Sequence, residues 1–229
     1  NDSSGGIAAS GGTLSNLNAL IAARHNAGLG SDPNSVLIVS EDAHSSFSKC
    51  IRIMGLDETN LVRIKTDKKG SIDIQNLRKT LDKITIDNKK IIAIVATLGT
   101  TVRGAIDPIK DISEICKEKD IWLHIDGSIG GIFALSSFPI EGLNNINKAN
   151  SITINPQKIL GITKTSSLLL VSNMSTLEKT FTTGLPYLSS KENIINRGEL
   201  GIQGSRPAEV IKLWLGLRFL GLNGIENIL

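Results

Sequence analysis

Short runs of β-branched and aliphatic residues alternate along this chain with longer amphipathic segments, and this order constrains the fold more than any other feature. Runs such as Ile91–Ala96 are apolar at every position, which is typical of strands covered on both faces. Such strands, alternating with helices, predict a doubly wound α/β sheet that is mainly parallel. The predicted strands are Val36–Ser40, Leu61–Ile64, Ile91–Ala96, Ile121–Ile125, Ser151–Ile154 and Ser167–Val171.

Five segments have the apolar spacing of helices that pack one face against a sheet. In one of them, Ile109, Ile112 and Cys116 fall on the same face. The stretch from Ser172 to Glu199 has weak periodicity, so we expect a long mobile connection of the kind that often acts as a functional lid. The predicted helices are Thr13–Ala27, Ser45–Met54, Asp73–Ile84, Ile109–Lys119 and Pro207–Leu220.

Composition narrows the classes of partner and compartment. The net charge is only +3 and no dense Lys/Arg block occurs, so we expect no nucleic-acid partner. No apolar run reaches transmembrane length, which predicts no membrane contact. Cys50 and Cys116 lie outside any CxxC pattern and are expected to be free buried thiols in a reducing cytoplasm. Three histidines without HxxH spacing predict no metal site.

The start of the sequence indicates a fragment. The chain has no initiator Met and opens only a few residues before a glycine motif. Its 229 residues are enough for one large domain with a real core.

Two glycines precede the first predicted helix in Ser10-Gly11-Gly12-Thr13. Backbone N–H groups at a helix start, together with the helix dipole, bind a phosphate without a basic side chain. Paired glycines are about as often a plain turn and cap, so this motif alone leaves both interpretations open.

Asp126 and Lys158 each follow a predicted strand, at the edge where α/β sheets bind ligands. Asp126 is either a turn residue or a carboxylate that pairs with a protonated pyridine nitrogen. A lone lysine is usually a solvated surface charge, but a desolvated lysine can form an imine. His124 is expected to point to the face opposite Asp126 and to be structural.

Together these motifs resemble the group II pyridoxal-phosphate decarboxylases of fold type I, the aspartate-aminotransferase-like fold. The resemblance runs from Gly5 to about Leu229. It implies that residues 1–229 are the family's cofactor-binding large domain, without its N-terminal segment and small C-terminal domain. The implied fold is a three-layer α/β structure whose mainly parallel sheet has seven strands, with helices on both faces. The matching motifs lie at residues 10–13, 42–45, 97–101, 124–131, 155–158 and 204–207.

The resemblance also implies a pyridoxal 5'-phosphate site. Residues that would hold the phosphate are Gly12, Thr13 and Asn155. Residues that would surround the ring are His44, which stacks on it, Thr101, Ser128 and Asp126, which pairs with the ring nitrogen. Gln157 would hydrogen-bond the phosphate or the cofactor, and Lys158 would carry the cofactor as a Schiff base. The implied catalytic residues are Lys158, His44, Asp126 and Tyr187.

Two positions depart from the family pattern. Gln157 stands where the family has a histidine, and glutamine cannot titrate. Asp126-Gly127-Ser128 replaces the usual Asp-Ala-Ala and adds a hydroxyl near the ring. Tyr187 resembles the family's loop tyrosine, which returns a proton after decarboxylation, but it is equally a packing anchor.

The implied activity is that of a carboxy-lyase that converts an L-amino acid to an amine and CO2. The family works as a homodimer with its active site near the subunit interface. Two alternatives stay open: another fold type I enzyme, such as an aminotransferase or a lyase, and a cofactor-binding homologue without catalysis. The identity of the amino-acid substrate is left undetermined by these motifs.

Overall fold

A computed structural model describes residues 3–185 and 196–229. Its strands form one sheet in the order β1-β7-β6-β5-β4-β2-β3. The strands are β1 (Gly5–Ala9), β2 (Ser35–Ser40), β3 (Leu61–Ile64), β4 (Lys90–Thr97), β5 (Leu123–Gly127), β6 (Ser151–Ile154) and β7 (Ser167–Val171). Strands β3, β2, β4, β5 and β6 pair in parallel, and β7 runs antiparallel to β6 and β1. The predicted seven-stranded, mainly parallel sheet is confirmed.

Helices cover both faces of this sheet. Along β2, Val36 and Ile38 pack into a cluster with residues of α3 (Ile74–Ile86) and α4 (Ile109–Glu118). The alternate residues Leu37 and Val39 pack into a second cluster with residues of α1 (Gly12–Asn26) and α2 (Ser46–Ile53). Alternate side chains of a strand point to opposite faces, so the molecule has three layers. The remaining helices are α5 (Ser175–Phe181) and α6 (Glu209–Ile228), and short 3-10 helices span Glu58–Asn60, Gly130–Leu135, Leu143–Lys148 and Arg197–Glu199.

Strand β1 was absent from the sequence prediction, because its residues, GGIAA, include two glycines and carry little strand propensity. Its pairing with β7 explains why it forms, since the two strands align from Gly5 opposite Val171 to Ala9 opposite Ser167. A Cβ on Gly6 would lie 2.4 Å from the carbonyl oxygen of Leu169. The close approach of the two backbones therefore requires glycine at this position.

Part of the stretch predicted as a mobile connection is helical. Helix α5 lies within it, and Leu177 is fully buried against β1, β7 and α1. A single buried side chain in a short helix gives too little periodicity to be recognised in sequence. Tyr187 lies outside the described residues.

Helix α6 runs further than predicted. Its backbone breaks at Gly221, where φ is 59° and ψ is −179°, and helix then resumes with Ile225 buried. On its outer face Trp214, Leu215 and Phe219 are 59%, 54% and 90% exposed. In the part of the chain that the structure describes, no helix combines the length and the apolar character needed to cross a membrane.

Asp107 fixes the loop that follows β4. Its Oδ2 accepts a hydrogen bond from the backbone N–H of Thr97 at 2.7 Å, and its Oδ1 accepts one from the N–H of Ile72 at 2.8 Å. The carboxyl is 1% exposed, and this burial raises its pKa to about 6 against the opposing effect of the two N–H donors. The loop is therefore tied both to the end of β4 and to the segment before α3.

The shifted pKa predicts a pH-dependent stability. The folded protein takes up a proton on Asp107 near pH 6, whereas the unfolded chain does so near 3.8. Between these values the folded state binds more protons, so this group adds stability as the pH falls. From pH 7 to pH 5 the free energy of unfolding of the wild type should rise by about 1 kcal/mol relative to Asp107→Asn. Urea unfolding of both proteins at each pH measures this, and an unchanged difference would contradict it.

The central strand offers a second stability test. Ile94 in β4 is fully buried, so Ile94→Ala should leave a cavity and lower the free energy of unfolding by about 2–5 kcal/mol. The matched control is Ile86→Ala, because Ile86 is 82% exposed at the end of α3 and should change stability by less than about 0.5 kcal/mol. Equal losses in the two variants would show that β4 is not the centre of the core.

Candidate functional site

One cavity of about 270 Å3 lies where β4, β5 and β6 end, beside the start of α1. Carboxyl ends of neighbouring parallel strands are the usual ligand site of such sheets. Every cofactor-binding residue that the sequence predicts lines this cavity, although they come from distant parts of the chain. These residues are Gly12, Thr13, His44, Thr101, Asp126, Ser128, Asn155, Gln157 and Lys158.

The start of α1 forms one end of the cavity. Gly11 is the N-cap with φ 109°, a conformation that favours glycine, and its carbonyl accepts hydrogen bonds from the N–H groups of Leu14 and Ser15. The N–H groups of Gly12 and Thr13 precede these bonds, so the helix itself offers them no acceptor. A Cβ on Gly12 would lie 2.6 Å from Asn155 Nδ2 and 3.0 Å from Ser128 Oγ. Asn155 Oδ1 accepts a hydrogen bond from Ser167 at 2.5 Å, which leaves the Nδ2 donor facing Gly12. This end of the cavity suits an anion.

Asp126 lies at the end of β5 and is 5% exposed. Its Oδ1 accepts a hydrogen bond from the backbone N–H of Ser128 at 3.1 Å, and its Oδ2 accepts one from Asn16 Nδ2 at 3.2 Å. None of the ion pairs found among the described residues includes Asp126. A buried carboxylate that lacks a cationic side chain suits a ligand with a protonated nitrogen.

Thr97 and Asn16 also line the cavity, although neither was predicted from the sequence to be a site residue. Thr97 ends β4 in register with Asp126, and its buried Oγ1 has no hydrogen-bond partner within residues 3–185 and 196–229. Such a hydroxyl is available to a ligand. Asn16 follows Gly12 by four residues, so the helical repeat could have placed it on the same face of α1.

His44 stands on the open side of the cavity. Its Nδ1 accepts a hydrogen bond from the backbone N–H of Ser46 at 3.1 Å, which limits how the ring can turn. The neighbouring Asp42 forms an ion pair with Arg103 at 3.4 Å. This ion pair connects the segment that carries His44 with the loop that carries Thr101. Both His44 and Thr101 are exposed residues of the cavity wall.

Lys158 lies in the turn after β6, where its N–H donates to Asn155 O at 2.9 Å. Its side chain is exposed and borders the cavity. Gln157 Oε1 accepts a hydrogen bond from the N–H of Ser166 at 2.7 Å. The amide nitrogen of Gln157 is therefore the group that remains available, and it can donate a hydrogen bond to a ligand.

The prediction that His124 faces away from Asp126 is wrong. Residues two apart in a strand share a face, so both side chains point toward α1. His124 Nε2 lies 3.1 Å from Asn16 Oδ1, and Nδ1 lies 2.8 Å from Ser151 Oγ. Complete burial lowers the pKa of His124 to about 4, partly opposed by the charge of Asp126.

These donors and acceptors fit pyridoxal phosphate. The start of α1 with Asn155 suits its phosphate, the buried Asp126 suits its ring nitrogen, and the amine of Lys158 suits its aldehyde. No residue larger than glycine fits at position 12, because its Cβ would collide with the side chain of Asn155.

Comparison with known proteins agrees with this geometry. The sequence pattern of the family described as "Pyridoxal-dependent decarboxylase conserved domain" matches residues 1–229. An aromatic-L-amino-acid decarboxylase of Bacillus atrophaeus is 34% identical over 226 residues, which cover 96% of this chain and 47% of that protein. An acidic amino acid decarboxylase, GADL1, of Xenopus tropicalis is 32% identical over 97% of this chain and 46% of its own length.

Solved structures show the same fold. The crystal structure of mouse CSAD superposes with a TM-score of 0.91 and 28% identity, over 99% of this chain and 49% of that one. A tryptophan decarboxylase of Catharanthus roseus, solved with L-tryptophan, gives a TM-score of 0.87 and 29% identity, over 98% of this chain and 49% of that one. The chain thus spans about half the length of the relatives that it matches. It belongs to the pyridoxal-dependent decarboxylase family.

Proposed function

We propose that the protein carrying this chain is a carboxy-lyase that converts an L-amino acid to an amine and CO2 with pyridoxal phosphate. The observation that carries the proposal is the meeting of three groups at one cavity: the anion pocket at Gly12, the buried carboxylate of Asp126 and the amine of Lys158. Family membership supports the same reaction class. The buried carboxylate of Asp126 argues against a simple phosphate ligand, because a carboxylate repels an anion but stabilises a protonated ring nitrogen.

Pyridoxal phosphate bound there supplies an electron sink for the electrons released when the bond between Cα and the carboxylate breaks. Lys158 would hold the cofactor covalently through its side-chain amine. Asp126 keeps a proton on the ring nitrogen, because a buried carboxylate stabilises a neighbouring positive charge. Asn155 and the first turn of α1 bind the phosphate and so fix the position of the ring.

The other predicted residues complete the proposal. His44, oriented by the N–H of Ser46, stacks on the ring from the open side. Thr101 and Ser128 line the ring, and Gln157 donates a hydrogen bond where a histidine would titrate. Tyr187, outside the described residues, would return a proton to Cα.

Two further parts of the proposal concern assembly and compartment. A homodimer with its active site near the subunit interface is supported by the apolar outer face of α6, where Trp214 and Phe219 are 59% and 90% exposed.

A cytoplasmic location is supported by Cys50 and Cys116, which are both free and buried. Burial raises the pKa of each thiol to about 12, so neither is a nucleophile for the reaction.

The test of the reaction is a screen of the complete natural protein for CO2 release. The relatives act, by their names, on aromatic and on acidic amino acids, so the screen uses every proteinogenic L-amino acid together with cysteine sulfinate and 2,4-diaminobutyrate. The expected result is release of CO2 with an equal amount of amine from at least one substrate. Formation of a 2-oxo acid without CO2 would instead show an aminotransferase. Cofactor binding without any product would show a homologue that does not catalyse.

The role of Lys158 has its own test. Lys158→Ala should abolish the visible absorbance of the bound cofactor and reduce turnover by about a thousandfold or more, which corresponds to about 4 kcal/mol of activation barrier. The matched control is Lys83→Ala, because Lys83 is an exposed residue of α3 outside the cavity and should leave both properties unchanged. Retention of absorbance and turnover by Lys158→Ala would refute the proposed attachment.

A further inference from the structure

Behind Asp126, a chain of hydrogen bonds leads from the cavity into the core. Asn16 Nδ2 donates to Asp126 Oδ2 at 3.2 Å, and Asn16 Oδ1 lies 3.1 Å from His124 Nε2. His124 Nδ1 lies 2.8 Å from Ser151 Oγ, and Trp122 Nε1 donates to that oxygen at 2.9 Å. The chain joins α1, β5 and β6 with the residue just before β5.

With a neutral imidazole at His124, each side-chain link of this chain has one direction. A carboxylate accepts and an indole N–H donates. Because Asn16 donates to Asp126 through its nitrogen, its oxygen accepts, and His124 Nε2 must carry the hydrogen. His124 Nδ1 then accepts from the hydroxyl of Ser151, whose oxygen accepts from Trp122. All the donors are therefore oriented toward Asp126.

The hydrogen-bonded side chains are almost completely buried. Asn16, His124 and Ser151 are at most 1% exposed, and Trp122 is 7% exposed. Burial of so many polar groups costs free energy unless each finds a partner, and here each one does. Since burial lowers the pKa of His124 to about 4, the imidazole is neutral at neutral pH and serves as an oriented dipole next to Asp126.

We propose that Asn16 and His124 are positioning residues that hold the Asp126 carboxylate in the orientation in which it binds the protonated ring nitrogen of the cofactor. The inference rests on the proposed function. Ser128 N–H binds Oδ1 and Asn16 binds Oδ2, so the two bonds together fix the plane of the carboxylate. The remaining lone pairs of both oxygens are left for the ligand.

His124 acts on Asp126 through the amide of Asn16. An asparagine amide can turn by 180° about its terminal bond, which would place Oδ1 against the carboxylate and replace attraction by repulsion. The N–H of His124 favours the orientation in which Oδ1 points away from Asp126. Ser46 Oγ, which accepts from Asn16 Nδ2 at 3.3 Å, supports the same orientation.

The test compares variants of the chain with a control asparagine. Asn16→Leu removes both polar ends of the amide, Asn16→Ala does so without added bulk, and His124→Phe removes the donor to Asn16. His124→Gln is the conservative variant, because its Nε2 can donate from the same place. The control is Asn60→Leu: Asn60 is also buried and donates to Pro33 O and Ser35 O at 2.7 and 2.9 Å, but it lies outside the cavity and the chain.

Three readouts separate positioning from stability: the Kd of pyridoxal phosphate for the complete apoprotein, the circular dichroism of the bound cofactor in its visible band, and the melting temperature of the apoprotein. Asn16→Leu, Asn16→Ala and His124→Phe should weaken cofactor binding about tenfold or more and reduce the visible circular dichroism per bound cofactor. His124→Gln should stay within about threefold of the wild-type Kd. Asn60→Leu should lower only the melting temperature.

Several outcomes would overturn the inference. One is wild-type affinity and circular dichroism in the Asn16 and His124→Phe variants. Another is a His124→Gln variant as defective as His124→Phe, and a third is an equal loss of affinity in Asn60→Leu, because both indicate a general packing effect. A wild-type protein without a visible cofactor band would refute the proposed function itself, and with it this inference. Normal wild-type binding with unaffected variants would refute the inference alone.

Discussion

The parallel pairing of β4, β5 and β6 is the constraint on which the site depends. Their register places Thr97, Asp126 and Thr153 side by side, so three strands end at one edge of the sheet. The residues that follow each strand then meet without any of them being close in sequence. Hydrogen bonds of the ladder, rather than contacts among the site residues, set these positions. Asp107 also contributes to the position of the site, because its carboxylate accepts a hydrogen bond from the end of β4 and so holds the following loop there.

The sequence predicted the sheet's inner strands because their apolar runs depend only on burial, and burial on both faces is visible in composition. The candidate cofactor residues came from the resemblance of short motifs to the family pattern, and the structure brings these residues together around one cavity. The sequence did not predict β1 or α5, which form because β7 and the adjacent core hold them. Residues GGIAA have no intrinsic preference for a strand, so only the partner strand makes them one.

The hydrogen-bond chain behind Asp126 could not be predicted from the sequence, for a related reason. His124 was assigned to the wrong face, although the two-residue repeat of a strand places it beside Asp126. Even with that repeat applied, the link through Asn16 depends on how α1 packs across β5, which no periodicity reports. Local patterns thus indicate which residues line the cavity, whereas the contacts that orient those residues arise from packing between layers.

Helix α1 contributes both to the proposed phosphate end of the cavity, at Gly12, and to the end at Asp126, through Asn16. With an axial rise of about 1.5 Å per residue, their separation of four positions corresponds to about 6 Å along the helix axis. Backbone hydrogen bonds of the helix, and not side-chain contacts, therefore set the axial distance between Gly12 and Asn16. A ligand that contacts both ends of the cavity must match this distance. A shift of α1 along its axis would displace both contacts together.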